Sequence, residues 1–514
     1  MLLVTAEEAH QMDHWACRHA GIPLFMLMDH AGRRVAEEIK SRFQPESSIV
    51  VVAGTGNNGG DAIVCARYLL QWGYQVTLLM AGTESKRSQD SKRHLQAYRS
   101  WNGLVQQCEE LDEQRTEGLF ASAQLLVDGL LGTGLRGAPH EEYRGLIQLM
   151  NESQVPILAI DLPSGLLADQ GEIPGDVIQA TWTVTFEAYK WCHLLSPATS
   201  KVGKVIVASI GIPPRAAVEL GLKNQVLTTA MIASLLPVRE NESHKGSYGH
   251  LCIIGGSQWM PGAPQYAMEA AYRMGAGLVT LGLPYSLAQG LATQVRLPLL
   301  WPWEEEESHF ATTSSAQQDF DPYTALAIGP GIGVWNGGER WLEQLLNRSH
   351  QPVVIDADAL KLLARHPQML TQHGERIILT PHPGEMAVLC NVKKEEVRQH
   401  RRELAIELAT KWGVHVVLKG FHTLIATPDG TVYCNPTGNA ALAKGGTGDI
   451  LTGMIAALLA QGVALCDAAR VGTYLHGLIA DLYTGDPYSL LPADVITHIP
   501  RVLQHVLTIR STSA

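Results

Sequence analysis

Short β-branched and apolar runs, each followed by a helix-length segment, recur through both halves of the chain and constrain its fold more than any other feature. Strands spaced this way must be joined by crossovers, so the sheet is mostly parallel and covered on both faces. In the first half the runs are Ser48 to Ala53, Gln75 to Met80, Leu125 to Asp128, Val155 to Asp161, Trp182 to Phe186 and Val205 to Ser209, with a helix over Ile63 to Gln71. In the second they are Leu251 to Ile254, Val279 to Leu283, Ala325 to Ile328, Val353 to Asp356, Ile377 to Thr380, Val414 to Lys419, Thr423 to Ala426 and Val432 to Cys434. Helices fit Ala263 to Arg273, Arg340 to Leu346, Glu396 to Trp412, Ile450 to Gln461 and Cys466 to Leu482. Gly211-Ile212-Pro213-Pro214-Arg215 punctuates the chain between the halves, which predicts two α/β domains, residues 1–220 and 221–514. Trp301 to Pro322, with Glu304 to Glu307 and a Ser/Thr/Gln-rich tail, reads as a solvated surface loop.

A chain of 514 residues has room for two large domains at roughly 150 residues or more each. The net charge of -11, without a long basic run, argues against nucleic acid or an anionic membrane as partner. The first residues carry no basic segment before an apolar one, and no stretch approaches the roughly 20 apolar residues of a membrane span. The eight cysteines are scattered singly, as in a reducing compartment, so a cytoplasmic protein is expected.

In the first half, Gly54-Thr55-Gly56-Asn57-Asn58-Gly59-Gly60-Asp61 follows a strand and opens a helix. It contains GxGxxG, but Asn57, Asn58 and Asp61 are polar side chains that phosphate binding by glycine amides does not require. Asp128 ends a strand before the loop Gly132-Thr133-Gly134-Leu135-Arg136-Gly137-Ala138, and Asp161 ends another before Ser164 and Gly165. In a parallel sheet these strand ends share one edge, so the three loops converge on one cleft. Carboxylates gathered there need a cation or a lysine, and Lys190, after the strand ending at Phe186, supplies an ammonium. Oxygen donors such as Asn58, Asp128 and Ser164 suit a hard cation. Taken singly, Asp128 and Asp161 also read as helix caps and Lys190 as a surface residue.

In the second half, Gly445-Gly446-Thr447-Gly448-Asp449 precedes the apolar run Ile450 to Leu459. It reads as backbone amides opening a helix, a seat for phosphate, with one carboxylate in the first turn. The same fragment alone would also serve as a glycine turn with Asp449 as cap. Pro261-Gly262-Ala263, Gly329-Pro330-Gly331-Ile332-Gly333, Asp356-Ala357-Asp358, Thr380-Pro381-His382-Pro383-Gly384-Glu385 and Lys419-Gly420 follow other strands or lead into helices. Together they make a nucleotide-sized pocket. No GxxxxGK[ST], HRD or DFG motif is present, so a phosphoryl-transfer site must be of another design. In such a site Asp449 takes the proton of an attacking hydroxyl while the Gly446 to Gly448 amides steady the developing charge.

These motifs, with the early segments Gln11-Met12-Asp13 and Leu27-Met28-Asp29-His30-Ala31-Gly32, closely resemble the bifunctional NAD(P)H-hydrate repair enzymes over nearly the whole length. The pairing of Asn57-Asn58-Gly59-Gly60-Asp61 with Asp161-Leu162-Pro163-Ser164-Gly165, and of the His382 segment with Gly445 to Asp449, carries the resemblance. It implies two three-layer α/β/α domains, a Rossmann-like NAD(P)HX epimerase and a ribokinase-like, ADP- or ATP-dependent NAD(P)HX dehydratase. By the same resemblance Asn57, Asn58, Gly59, Gly60, Asp61, Gly132 to Ala138 and Asp161 hold the hydrate in the first domain, with Asp161 and Lys190 catalytic and K+ on Asn58, Asp128 and Ser164. In the second domain Ala263, Gly333, His382 and Asp449 meet the hydrate, with Asp449 catalytic. Lys419, Gly420, Phe421, His422, Thr423 and Gly448 meet ADP or ATP, which brings Mg2+. A homo-oligomer is expected.

Ala62 departs from the family, which carries glycine there, and Asp29 from a common glutamate; a methyl on a helical backbone is easily accommodated. Two other functions fit parts of the pattern: a sugar or vitamin kinase fused to a dinucleotide-fold dehydrogenase, and a non-catalytic partner-binding protein. The first leaves Asn57, Asn58 and the Asp161 loop unexplained.

Overall fold

The computed structural model describes residues 1–512, which divide into two compact units, one from Met1 to Asn224 and one beginning at Gln225. Both are built on a sheet whose first long strand lies inside the sheet, not at its edge, because the chain winds outward from it in both directions. In the first unit Ser48–Ala53 pairs in parallel with Gln75–Met80 on one side and Leu125–Gly129 on the other. Leu104–Gln107, a strand absent from the sequence reading, extends one edge; Ile157–Ile160, Trp182–Phe186 and Lys204–Ala208 extend the other, all in parallel. Alternation along the central strand builds the layers. Ile49, Val51 and Ala53 pack with Val35, Ile39 and Ile63, whereas Val50 and Val52 pack with Phe120, Ile147 and Met150 on the opposite face.

The main sheet of the second unit has ten strands, with His250–Ile254 between Leu278–Pro284 and Ala325–Ile328. Thr423–Ala426 alone runs against its neighbours, because the short connections on either side allow only hairpin pairing. Leu251, Ile253, Ala327, Val354 and Ile378 pack with Ile450, Met454, Ile455 and Leu475 in one core. The alternate residues Leu326, Ile328, Val353 and Ile355 are equally buried, so the second face is covered too. Helix Thr447–Ala460 is apolar all round and buried along its whole length after the first turn. No helix among the described residues is long and apolar enough to cross a membrane.

Three sequence expectations fail here. The segment Trp301 to Pro322 is not a solvated loop: Leu299–Trp303 is a strand, and Trp303, Phe310 and Phe320 are fully buried beside Trp341. The charge run drew attention away from aromatic residues spaced to face inward, while the acids around the Glu305-Glu306/His309-Phe310 hairpin and polar residues such as Gln317 and Asp319 face solvent. The helix expected over Ile63 to Gln71 begins at Asn57, so the polar turn is itself the first turn of the helix. The helix expected over Glu396 to Trp412 is two, Lys394–Gln399 and Arg401–Trp412, broken at His400.

Candidate active sites

In an open parallel sheet the crevice opens where the winding reverses, at the carboxyl end of the central strand. In the first unit that point is Ala53, and a cavity of about 740 Å³ opens beyond it. Thr55, Gly56, Asn57, Asn58, Asp61, Gly132 to Arg136, Ala138, Asp161 and Lys190 all line it, so the three loops converge as expected. Gly59, Gly60 and Gly137 do not line it. A Cβ on Gly59 would stand 1.8 Å from the Gly54 carbonyl oxygen, so Gly59 lets the helix sit close beneath the loop, and one on Gly60 would stand 2.5 Å from Met28 Sδ of helix Leu24–Lys40, so Gly60 lets that side chain pack against it. The Ala62 methyl is buried against Gly129, which leaves room for it. Arg87, absent from the sequence reading, is 4% exposed and donates to the carbonyls of Ala53, Gly54 and Ala81, fastening the glycine loop to two strand ends.

Asp161 lies just past its strand with φ 64, and Leu162 N donates to Ile160 O at 2.8 Å, a γ-turn that side-chain-bearing residues rarely adopt. Its Oδ1 accepts from Lys190 Nζ at 2.5 Å and Thr185 Oγ1 at 2.8 Å, and Lys190 also donates to Thr185 Oγ1 at 2.9 Å. Burial pushes the Asp161 carboxyl up, but the Lys190 charge and the bonds from Lys190 and Thr185 outweigh it and hold the group below its ordinary value. Asp61 and Asp13 also line the cavity, and the sequence assigned no chemistry to Asp13. Burial, then the neighbouring Asp161 and Asp13 charges, raises Asp61 well above its ordinary value, and burial raises Asp13 to about 6.

Asp128 and Ser164 lie beneath the cavity wall, both fully buried. Asp128 accepts from Ser164 N at 2.8 Å, Ser164 Oγ at 2.5 Å and Leu130 N at 3.2 Å, yet burial still lifts it to about 6. Asn58 turns its Nδ2 to Leu131 O at 2.9 Å, which leaves its buried Oδ1 without a donor. Asn58 and Ser164 share the Leu131 carbonyl, and Ser164 bonds the buried Asp128 carboxylate, so a partnerless buried oxygen stands in an oxygen-rich setting of the kind that suits a monovalent or other hard cation.

In the second unit the helix Thr447–Ala460 starts after Gly446, whose φ of 96 a glycine tolerates, and places Asp449 in its first turn. A Cβ on Gly448 would stand 3.6 Å from Lys419 Nζ, so the lysine lies over the helix start. Lys419 pairs with Asp356 Oδ1 at 2.8 Å and lies 4.0 Å from Glu385 Oε2, while Thr452 donates to Asp356 Oδ2 at 2.6 Å. His382 caps the helix Pro383–Cys390: its Nδ1 accepts from Gly384 N at 2.9 Å and Glu385 N at 3.2 Å, which places the ring hydrogen on Nε2, 3.3 Å from Glu385 Oε1. Gly333 N donates to Asp358 Oδ2 at 3.2 Å, and Lys361 holds the other oxygen of that carboxylate. Ala263 opens its helix against Gly331. Gly333, His382, Lys419, Gly448 and Asp449 thus gather around one acid cluster. Gly420 has φ 151, Thr423 Oγ1 donates to Gly420 O at 3.0 Å, and Phe421, half exposed, stacks on His422 at 4.1 Å, so the loop after the lysine presents a flat aromatic face.

Burial, then the Asp356 charge, raises Asp449 to about 7, and burial raises Glu385 to about 7 despite Lys419. A carboxyl of that kind exchanges a proton near neutral pH, as a general base must. The approach of Thr452 to Asp356 and of Glu385 to Lys419 was invisible in the sequence, because each joins residues distant along the chain.

The family described as NAD(P)H-hydrate dehydratase matches residues 251–501, and that described as YjeF-related protein N-terminus matches residues 24–192. A bifunctional NAD(P)H-hydrate repair enzyme of Moorella thermoacetica is 38% identical, covering 98% of this chain and 97% of the relative. One from Escherichia coli is 34% identical, covering 98% of this chain and 94% of the relative. A crystal structure of ADP/ATP-dependent NAD(P)H-hydrate dehydratase from Bacillus subtilis, co-crystallized with ATP/Mg2+, is 33% identical, with a TM-score of 0.48, and covers 55% of this chain and 99% of that one. With two converging sites in one chain and similarity running through both, the protein belongs to the family of bifunctional NAD(P)H-hydrate repair enzymes.

Proposed function

We propose that the chain repairs hydrated nicotinamide dinucleotides, with an epimerase domain at residues 1–220 and a dehydratase domain at 221–514. The first interconverts R- and S-NADHX or NADPHX. The second dehydrates the S form with ADP or ATP, giving NADH or NADPH, phosphate, and AMP or ADP. The observation that carries this reading is Asp449, a largely buried carboxyl with a pKa raised to about 7 in the first turn of a helix, beside Lys419.

Hydroxide is a poor leaving group, so the hydrate must first be phosphorylated. Asp449 removes the proton of the ring hydroxyl as its oxygen attacks the terminal phosphoryl group; phosphate then leaves with loss of a ring proton. Ala263, Gly333 and His382 position the hydrate; Lys419, Gly420, Phe421, His422, Thr423 and Gly448 hold the nucleotide. Among the described residues no three acids are arranged to hold a metal by themselves, but Asp356, Asp358, Glu385 and Asp449 outnumber Lys361 and Lys419, so nucleotide phosphates placed beside them would have to bring their own divalent cation. Magnesium there would neutralise phosphate charge.

In the epimerase site Asn57 to Asp61 and Gly132 to Ala138 hold the hydrate, and Asp161 with Lys190 moves the proton. The orphaned Asn58 oxygen with Asp128 and Ser164 fits potassium, which would offset the buried Asp128 charge. We further infer a cytoplasmic homo-oligomer that engages neither nucleic acid nor membrane. The test incubates the protein with mixed NADHX epimers, ADP and magnesium and follows the absorbance of restored NADH. Wild type should restore both epimers and D449N neither; D161N should spare S and leave R to slow spontaneous exchange. Equal loss of both with D161N, or net phosphorylation of a small alcohol in place of NADH recovery, would overturn the assignment.

A further inference from the structure

His193 lies 1% exposed in the 3-10 turn Trp191–His193, outside the cavity wall, and no motif points to it. Its two ring nitrogens nonetheless meet the two backbones that carry the acid and the ammonium. Nδ1 is 3.0 Å from Lys190 N, and Nε2 is 3.0 Å from Asp161 O. A backbone N–H only donates and a carbonyl only accepts. Nδ1 must therefore carry the lone pair, Nε2 must carry the hydrogen, and the ring must be neutral. Burial, reinforced by the Lys190 charge, pushes its pKa down to about 4, which keeps that tautomer at physiological pH.

The peptide so held is the strained one. Asp161 has φ 64, and its N–H is tied to Val184 O at 2.7 Å, so the His193 bond secures its other end. A backbone in this region persists only where its surroundings impose it. We propose that His193 is the positioning residue of the epimerase site: its neutral imidazole ties the Asp161 peptide to the Lys190 peptide and so sets the Oδ1–Nζ pair in register for proton transfer. The inference rests on the reading of Asp161 and Lys190 as the epimerase acid–base groups.

The test uses the full-length protein and two variants. H193F keeps a ring and deletes both hydrogen bonds, whereas H193Q restores one acceptor and one donor in a single amide. Conversion of pure R-NADHX reports epimerisation, and that of pure S-NADHX in the same preparation reports the dehydratase. H193F should lower kcat on R by about 100-fold with KM within about threefold, the pattern of a misplaced catalytic pair and not of lost binding. H193Q should recover at least about tenfold of that loss, and both variants should match wild type on S. If H193F loses the thermal transition of the first unit, H193Q decides alone: it should keep that transition and a kcat on R within about tenfold of wild type. A kcat for H193F within about threefold of wild type, a rise in KM alone, or an H193Q no better than H193F would overturn the proposal. Failure of wild type itself to convert R, with S converted, would instead overturn the epimerase reading beneath it.

Discussion

At the residue scale the two sites treat their carboxylates in opposite ways. Asp161 is held ionised by a lysine in contact, whereas Asp449 has only a shared lysine, already paired with Asp356, and stays near neutrality. As a base Asp449 must be deprotonated, so dehydratase kcat/KM on S-NADHX should rise with pH up to about 7 and then level; a profile flat between pH 5.5 and 8 would remove the base from the mechanism. The same shift bears on stability. A carboxyl whose folded pKa is raised disfavours the folded state progressively from its unfolded pKa, about 4, up to its folded value, and fully above it. D449N should therefore stabilise the second unit by roughly 1–3 kcal/mol at pH 8, a gain that shrinks as pH falls toward 4, while abolishing activity. Denaturant unfolding of the variant at three pH values measures the trend.

At the element scale glycines decide how closely helices approach the loops they serve. Helix Asn57–Gln71 packs against helix Leu24–Lys40 where a Cβ on Gly32 would stand 2.4 Å from the Asp61 carbonyl oxygen, and it meets its own glycine loop at Gly59. Gly56, with φ -78 and open space around the missing Cβ, faces neither constraint. G59A should thus cost about 2 kcal/mol or more through a backbone clash, whereas G56A should stay within about 0.5 kcal/mol of wild type. Thermal unfolding of the pair separates steric from conformational need. In the second unit Gly453 plays the part of Gly32, since its Cβ would stand 2.0 Å from the Ala267 carbonyl oxygen. Each of these helices is thereby pressed against a neighbour, Asn57–Gln71 on Leu24–Lys40 and Thr447–Ala460 on Gly262–Arg273.

At the scale of the whole molecule, each compact unit has its own sheet, its own core and its own site. Ligands that bind one folded unit should stabilise that unit alone. In calorimetry of the full-length protein, ADP with magnesium at about 100 times its Kd should raise one unfolding transition, equivalent to about 2.7 kcal/mol, and leave the other in place. Potassium replacing sodium should raise only the other. A single transition responding to both additions would show the units to be thermodynamically coupled.

What the sequence determined was local and periodic: the strand runs, the glycine turns behind them, and the carboxylates at their ends follow from backbone geometry and side-chain type. That is why Asp161, Lys190 and Asp449 could be singled out before any fold was known. The edge strands Leu104–Gln107 and Leu299–Trp303 were hidden because the first is half polar and the second is interrupted by Pro302 and runs into a charge cluster. Only the tertiary structure decided which polar groups end up buried without partners and which share one. The Asn58 oxygen, the His193 bridge, the Arg87 staple beneath the glycine loop and the division of Lys419 between Asp356 and Asp449 all depend on residues tens of positions apart. Hydrogen bonding and desolvation act over a few ångströms of space, and no spacing along the chain encodes that distance.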